Sequence, residues 1–267
     1  MILNYTSSNG QTFDLKAKTF RTRTADFHNF AWTPKFIEQQ YGERVYRFDK
    51  AACTYTALIS VFGSLIERKQ WLNLLHAAFD SDIRNMTPGK LTHGMYTIDC
   101  YITGSSTYYE DPYTQNEINI YCPYPFWGRE DTYHLTSEDV TVYEYLDYPF
   151  GYNYDFRGVL PGYAMIDNHG VGPADWKLVI HGPHTNPMVV IDDIKIGVYA
   201  TIGQDEEIVI SSKDKTVYKG NENLFNQRLK ENSIFQKIPK GQHSVFWSGT
   251  YDCDLTIYEE RSEPLWI

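Results

Sequence analysis

Neighbouring acidic residues are the groups of this chain best suited to acid–base chemistry on a glycan. The candidates include Glu110 with Asp111, Glu206 with Glu207, and Glu259 with Glu260. A glycosidase needs two carboxyl groups facing each other across a cleft, about 5 Å apart for retention or roughly 6.5–9.5 Å for inversion. Adjacent residues of a strand point to opposite faces, so none of these pairs works as a unit if it lies on a strand. Solvated charge at strand ends is the favoured interpretation, and a glycosidase is the less favoured one.

Histidines and cysteines are the next candidates, because both bind metals. His181 and His184 lie in the segment HGPH, eight residues before Asp192. A metal site needs three or four converging ligands with supporting hydrogen bonds, and a turn between strands explains this segment as well. The chain has no G-x-S-x-G elbow, no phosphate-binding glycine loop and no C-x-x-C pair. The sequence therefore predicts no enzyme, no cofactor and no metal.

The four cysteines are too few and too dispersed for a disulfide scaffold. Cys100 is in phase with Ile98 and Ile102, and Cys122 is in phase with Ile120, so both thiols are expected to point into a core. Buried free thiols are the favoured interpretation for such positions. A cross-strand bridge is the alternative.

Apolar and polar residues alternate with a period of two through most of the chain, which is typical of half-buried strands. The clearest runs are Tyr55, Ala57, Ile59 and Val61, then Ile194, Ile196 and Val198, then Cys253, Leu255 and Ile257. Clusters of Gly, Pro, Asn and Asp bound these runs, as turns do. The sequence predicts a mainly β protein.

One segment breaks this alternation, the stretch SLIERKQWLNLLHAAFD at 64–80. Its apolar residues recur at helical spacing. Ser64 and Glu67 form a capping box, in which each side chain satisfies an exposed backbone N–H of the first turn. The spacing predicts one helix from Ser64 to Asp80, packed on a neighbouring sheet.

Composition narrows the function further. The net charge is −10, so a surface that attracts nucleic-acid phosphates is not expected. No apolar stretch reaches the roughly 18 residues that a membrane helix needs, and the start turns polar too early for a signal peptide. Synthesis and folding in the cytoplasm are therefore expected.

Aromatic residues make up 16% of the chain, and strands and protein interfaces both favour them. Packing in a core or interface is the favoured role for the most conspicuous rings. The alternative is a sugar-binding face, for which the candidates are Tyr148, Tyr152, Tyr154, Trp176 and Trp247.

Two halves are indicated by a polar stretch at 130–138, followed by a Pro-, Gly- and Tyr-rich stretch at 147–162 that is typical of a linker. The predicted domains are residues 1–135 and residues 136–267. The segment 221–238 is interpreted as a short helix or a loop. Pattern alone leaves a sandwich and a barrel open for each half.

Several segments resemble the distal tail (Dit) proteins of long-tailed phages, and they occur in that family's order. They are the strand and helix at 42–80, Pro88-Gly89-Lys90-Leu91, Cys122-Pro-Tyr-Pro-Phe-Trp127, Asp147-Tyr-Pro-Phe150 with Tyr154-Asp-Phe156, Asn168-His-Gly170 with Ile180-His-Gly182 and Asn186-Pro187, and the segments 207–218 and 237–245. Each motif is weak alone, and the ordered set over nearly the whole chain carries the resemblance.

The resemblance implies an N-terminal domain like a tail-tube subunit, a β-barrel or sandwich with one helix, that assembles into a six-fold ring. It implies a C-terminal galectin-like β-sandwich facing outwards. The implied partners are further copies, the tail tube protein, the tape-measure end, the tail-tip hub protein and adsorption proteins. The implied place is the virion tail tip, after assembly in the host cytoplasm. A carbohydrate-binding module for host recognition is the alternative function.

The segment 19–46 carries many aromatic and basic groups without a clean amphipathic period. We hypothesise that it contributes to the contact between subunits, with Phe30, Trp32 and Phe36 as anchors. Core packing of the same residues is the alternative.

Overall fold

The computed structural model describes residues 3–136, 162–231, 233 and 235–266. The described chain forms two compact units, the first made of residues 1–129 and 260–267, the second of residues 130–259. Most of the predicted linker at 147–162 lies outside the described residues. The proposed domains 1–135 and 136–267 remain a prediction.

The described residues of the first unit form an antiparallel sheet, a separate two-stranded hairpin and one helix. Its elements are β1 (Leu3–Thr6), β2 (Thr12–Asp14), β3 (Phe20–Ala25), β4 (Thr33–Glu38), β5 (Glu43–Asp49), β6 (Cys53–Phe62), α1 (Leu65–Arg84), β7 (Gly89–His93), β8 (Tyr96–Tyr109), β9 (Tyr113–Cys122) and the start of β10 (Trp127–Leu135). Pairing runs in the order β3-β6-β9-β8-β7-β1-β2. Strand β8 pairs with β7 through its first residues and with β9 through the rest.

The core of this unit follows the alternation expected from the sequence. Tyr55, Ala57, Ile59 and Val61 of β6 are all buried, and so are Cys100 and Cys122. Burying such side chains is worth about 1.5–3 kcal/mol for each large apolar residue. The predicted inward phase of both cysteines is confirmed, and all four cysteines are free thiols.

Helix α1 begins after Ser64, and the predicted capping box is present in full. The Ser64 backbone N–H donates to Glu67 Oε2 at 2.8 Å, and the Glu67 N–H donates to Ser64 Oγ at 3.4 Å. The helix continues four residues beyond the predicted end at Asp80 to Arg84, because buried Asp82 extends its packed face. Asp82 accepts hydrogen bonds from the Tyr5 hydroxyl and from the Ser8 backbone N–H, which tie α1 to the first hairpin.

The described residues of the second unit form strands and one short 3₁₀ helix. Its elements are the rest of β10, β11 (Gly162–Asn168), β12 (Asp175–His181), β13 (His184–Thr185), β14 (Met188–Ile191), β15 (Ile194–Gly197), β16 (Thr201–Ile202), β17 (Glu207–Ser211), β18 (Thr216–Lys219), β19 (Glu222–Asn223), β20 (Gly241–Trp247) and β21 (Cys253–Arg261). One sheet has the order β19-β18-β17-β12-β21-β10, and the other β11-β20-β14-β15. Inward residues of both sheets form one core, as in a β-sandwich.

The segment 221–238 contains a short 3₁₀ helix, Phe225–Gln227, and otherwise strand β19, bridges and loop among its described residues. The loop interpretation is thus closer than the helix. The prediction of a mainly β protein is confirmed, and the described residues contain one α-helix, as expected. No helix in the described ranges is long and apolar enough to cross a membrane.

Candidate assembly surface

Strands β4 and β5 form a two-stranded sheet of their own, which pairs with no other strand in the part of the chain that the structure describes. A tight turn joins them, where the Gln39 N–H donates to the Gly42 carbonyl at 3.0 Å. Gly42 has φ +76°, a conformation that glycine adopts at little cost. Nearly every residue of the two strands is exposed, so this hairpin extends into solvent.

The hairpin has two chemically different faces, because residues opposite each other on paired strands share a face. On one face Pro34 lies opposite Phe48, and Phe36 lies opposite Val45. Phe36 is 43% exposed and Phe48 is 57% exposed. We call Pro34, Phe36, Val45 and Phe48 the apolar hairpin face.

The other face of the hairpin is charged. Lys35 lies opposite Arg47, and Ile37 lies opposite Arg44. Arg47 Nε is 2.7 Å from Asp49 Oδ1, and Lys35 Nζ is 4.0 Å from Asp49 Oδ2. Exposed ion pairs of this kind add little stability, so they keep this face soluble more than they hold the hairpin together.

An aromatic cage around Lys50 marks the base of the hairpin. Lys50 Nζ lies 4.3 Å from the ring centre of Phe126, 5.4 Å from that of Trp32 and 5.7 Å from that of Phe30. The ammonium group is buried, with no hydrogen-bond partner among the described residues. Burial lowers the pKa of Lys50, since removal from water disfavours the charged form.

The end of the chain lies against the same region of the first unit. Trp32 Nε1 donates to Ser262 Oγ at 3.3 Å, and the Tyr124 hydroxyl donates to Glu260 at 2.8 Å. The Trp266 ring stacks on His28 at a centroid distance of 3.7 Å. Residues 260–266 thus reinforce the cage from outside the hairpin sequence.

The three residues predicted as interface anchors take two positions. Phe30 and Trp32 lie in the Lys50 cage, and Phe36 lies on the apolar hairpin face. Sequence reasoning missed Val45 and Phe48 as companions of Phe36. The bulge near Tyr46 explains this, because it breaks the alternation of β5 and places residues three apart on one face.

The other chemical candidates from the sequence do not converge. His181 Nε2 lies 3.1 Å from Asp254 Oδ2, whereas His184 packs on the Tyr251 ring. No cluster of three metal-ligating side chains occurs among the described residues. The HGPH segment is a connection between β12 and β13.

The expectation of solvated charge at strand ends is wrong for Glu259, which is buried in β21. Members of the other two acidic pairs serve as structural ties. Glu206 accepts from the Gly203 N–H at 2.7 Å and from Lys219 Nζ at 3.4 Å. The hydrogen bond from Gly203 and the one from Lys219 lower the pKa of Glu206. Asp111 Oδ1 lies 3.7 Å from Arg68 Nη2 at the end of the β8–β9 hairpin.

A serine–histidine contact in the first unit lacks the geometry of a catalytic pair. Ser105 Oγ lies 3.2 Å from His76 Nε2, but Asn116 Nδ2 occupies both atoms, at 2.8 and 3.3 Å. A nucleophile needs an oriented base that is free to take its proton. These groups instead form a hydrogen-bonded cluster between α1, β8 and β9.

The possible sugar-binding rings are also placed by the structure. Trp176 and Trp247 are buried in the core of the second unit, at 0% and 3% exposure. They are therefore packing residues, and neither can stack on a pyranose. Tyr148, Tyr152 and Tyr154 lie outside the described residues.

No protein-family model matches the sequence, and no curated protein matches it. Solved structures match over nearly the whole chain. The crystal structure of the Dit protein of phage SPP1, described as a hub adsorption apparatus of phages that infect Gram-positive bacteria, aligns with a TM-score of 0.63 and 11% identity over 98% of this chain and 100% of that chain. This chain has the distal tail protein fold.

Two structures of the phage P2 baseplate in its activated conformation give the same result. A chain of its activated conformation with Ca aligns with a TM-score of 0.57 and 13% identity, over 99% of this chain and 100% of that chain. The form with Sr aligns with a TM-score of 0.58 and 12% identity, over 98% and 99%. The predicted resemblance to distal tail proteins is confirmed at the level of the fold.

Proposed function

We propose that this chain is a structural component of a phage tail tip. In this role it forms a six-fold ring that joins the tail tube to the tip and adsorption apparatus. The observation that carries the proposal is the β4–β5 hairpin, an exposed arm with one apolar face, on a chain that has the distal tail protein fold.

The physical chemistry of the hairpin supports assembly. An isolated two-stranded hairpin is marginally stable in water, and its open edges invite pairing with another chain. Aromatic residues such as Phe36 and Phe48 are enriched at protein interfaces. A second copy of the chain is the partner that covers the apolar hairpin face, as a closed ring requires of every subunit.

Each half of the chain has a part in this proposal. Residues 1–135 form the ring, and residues 136–267 form a galectin-like domain on its outside. The two-sheet core of the second unit supports the sandwich architecture. The ring's neighbours are the tail tube protein, the tape-measure end, the tail-tip hub protein and adsorption proteins, at the virion tail tip after assembly in the host cytoplasm.

The role is non-enzymatic. Glu206 holds a turn, Asp111 lies beside an arginine, and Asn116 donates to both atoms of the His76–Ser105 contact. A carbohydrate-binding module is less well supported, because Trp176 and Trp247 are buried.

The test measures the mass of the purified protein by light scattering and its shape by negative-stain microscopy. We expect rings, or a mass up to six times the 31.1 kDa of one chain. The double variant Phe36→Ser with Phe48→Ser should stay folded and lose the ring, because both changes lie on the apolar hairpin face.

Ile37→Ser is the matched control, since Ile37 is 59% exposed on the charged face of the same hairpin. It should leave the ring intact. A wild-type protein that stays monomeric at high concentration would contradict the proposal. So would a double variant that still forms rings.

A further inference from the structure

Two cysteines far apart in the sequence face each other in the sheet of the first unit. In the β6–β9 register Cys53 is the direct partner of Cys122. Directly opposed residues of antiparallel strands have Cα atoms about 4.5–5.5 Å apart. A disulfide accepts Cα separations of about 4.4–6.8 Å, so the backbone already suits a bridge.

The two thiols face each other across the β6–β9 register and differ in exposure. The Cys122 thiol donates to the Ile120 carbonyl oxygen at 4.0 Å and also interacts with the Cys53 sulfur. Cys53 is partly exposed, whereas Cys122 is buried, as are Cys100 and Cys253. A reagent in solution therefore reaches Cys53 first, and Cys122 lies opposite Cys53 on the neighbouring strand.

Lys50 supplies a positive charge next to this pair. Its ammonium group is buried in the aromatic cage and has no hydrogen-bond partner among the described residues. Hydrogen bonding with Cys122 and Tyr55 and the charge of Lys50 outweigh burial and lower the pKa of Cys53 to about 6. By contrast, burial and the negative charges of Asp254 and Asp252 raise the pKa of Cys253 to about 12.

We propose that Cys53 and Cys122 form a redox-active dithiol that closes to a cross-strand disulfide. Cys53 is the attacking thiolate, and Lys50 is the residue whose positive charge stabilises that thiolate. The oxidant is a low-molecular-weight disulfide. The Cys53 thiolate attacks one sulfur of that disulfide and expels the first thiolate. Cys122 then loses its proton, attacks the Cys53 sulfur of the mixed disulfide and expels the second.

Atoms and electrons balance in this exchange. Two protein thiols and one small disulfide become one protein disulfide and two small thiols. The closed bridge ties β6 to β9 and removes the thiolate that faces Lys50 at the base of the hairpin. If the proposed tail-tip function holds, the pair stays open in a reducing cytoplasm and closes in a released particle. The chemistry itself does not depend on that function.

The first test is alkylation of the native protein by iodoacetamide across pH, followed by peptide mass spectrometry. We expect Cys53 to react at least about tenfold faster at pH 7 than Cys100 or Cys253, because the thiolate is the nucleophile. Lys50→Gln should move the midpoint of the Cys53 rate profile to higher pH. A Cys53 rate equal to that of the buried thiols, or a midpoint that Lys50→Gln leaves unchanged, overturns the assignment.

The second test treats the full-length protein with oxidised glutathione and maps disulfides without reduction. We expect a single Cys53–Cys122 bridge in the wild type. Cys122→Ser retains a hydrogen-bond donor and should stop at a stable glutathione adduct on Cys53. The matched control, Cys253→Ser, should close the bridge normally. A bridge between other cysteines, or a glutathione adduct that persists in the wild type, overturns the proposal.

Discussion

At the scale of single residues, polar side chains of this protein act as ties between strands. His243 in β20 is an example. Its Nδ1 lies 2.6 Å from Asp192 Oδ2, and its Nε2 lies 2.9 Å from the Pro239 carbonyl oxygen. Both neighbours are acceptors, so only the imidazolium form donates to both. Asp192 also accepts from the Ser244 backbone N–H at 2.9 Å.

This arrangement makes part of the stability depend on pH. Burial acts to raise the pKa of Asp192, but the hydrogen bonds from His243 and Ser244 outweigh it and the pKa is lowered from 3.8. A carboxyl group with a lowered pKa in the folded state stabilises that state above its unfolded pKa. The contribution is lost as the pH falls from 3.8 through the lowered value.

We therefore expect Asp192→Asn to lower the free energy of unfolding near pH 6 and to have little effect near pH 2. Asparagine also tolerates the positive φ of +49° at Asp192, as Asn186 does at +53° in a different turn, so the backbone is not the cause. Urea denaturation at both pH values measures the difference. An equal loss at both would show that the carboxylate charge is not involved.

At the scale of elements, the residues at the base of the β4–β5 hairpin pack within the first unit, whereas the two strands of the hairpin are exposed. Trp32 contacts Lys50, Phe126 and Ser262 within the first unit. Phe36 lies on the apolar hairpin face, in a strand with only its partner strand beside it among the described elements. Trp32 thus packs within the first unit, whereas the assembly role that we propose falls to Phe36 on the exposed strands.

Substitutions of Trp32 and Phe36 should therefore differ in their effect on the free energy of unfolding of the monomer. Trp32→Ala removes a face of the Lys50 cage and should cost about 1–2 kcal/mol. Phe36→Ala should change the free energy of unfolding by less than about 0.5 kcal/mol. Urea denaturation at a concentration too low for assembly is the measurement. If Phe36→Ala lowered the free energy of unfolding more than Trp32→Ala, the apolar hairpin face would contribute to folding of the monomer.

At the scale of the whole molecule, the chain leaves the first unit at residue 129 and returns to it at residue 260. The returning segment stacks Trp266 on His28 and places the Arg261 guanidinium 5.6 Å from the Tyr96 ring centre. The first unit is therefore completed by residues that are last in the sequence.

A variant that ends at Glu259 should lose stability in the first unit. We expect a loss of about 1–3 kcal/mol, since it removes an aromatic stack and several hydrogen bonds. Hydrogen exchange should show weaker protection in β8, near Tyr96, than in the wild type. Strands β14 and β17 of the second unit serve as the internal control and should keep their protection.

Sequence patterns were sufficient where the cause is local. Period-two alternation in β6 and the Ser64–Glu67 box of α1 report burial and backbone hydrogen bonds within a few residues. They were insufficient for the hairpin, because the bulge near Tyr46 shifts the face of Val45 relative to Phe48. A strand shifted by one residue turns its side chains to the other face.

The amino-acid sequence by itself determined that this protein is mainly β with one capped helix, and that Cys100 and Cys122 point inwards. Only the tertiary structure decided that Cys53 faces Cys122, that Phe126 joins Trp32 around Lys50, and that Trp266 returns to His28. The physical reason is the separation in sequence of the residues that make each contact. Periodicity follows from the backbone geometry of neighbouring residues, whereas these contacts depend on which distant strands and surfaces meet when the core forms.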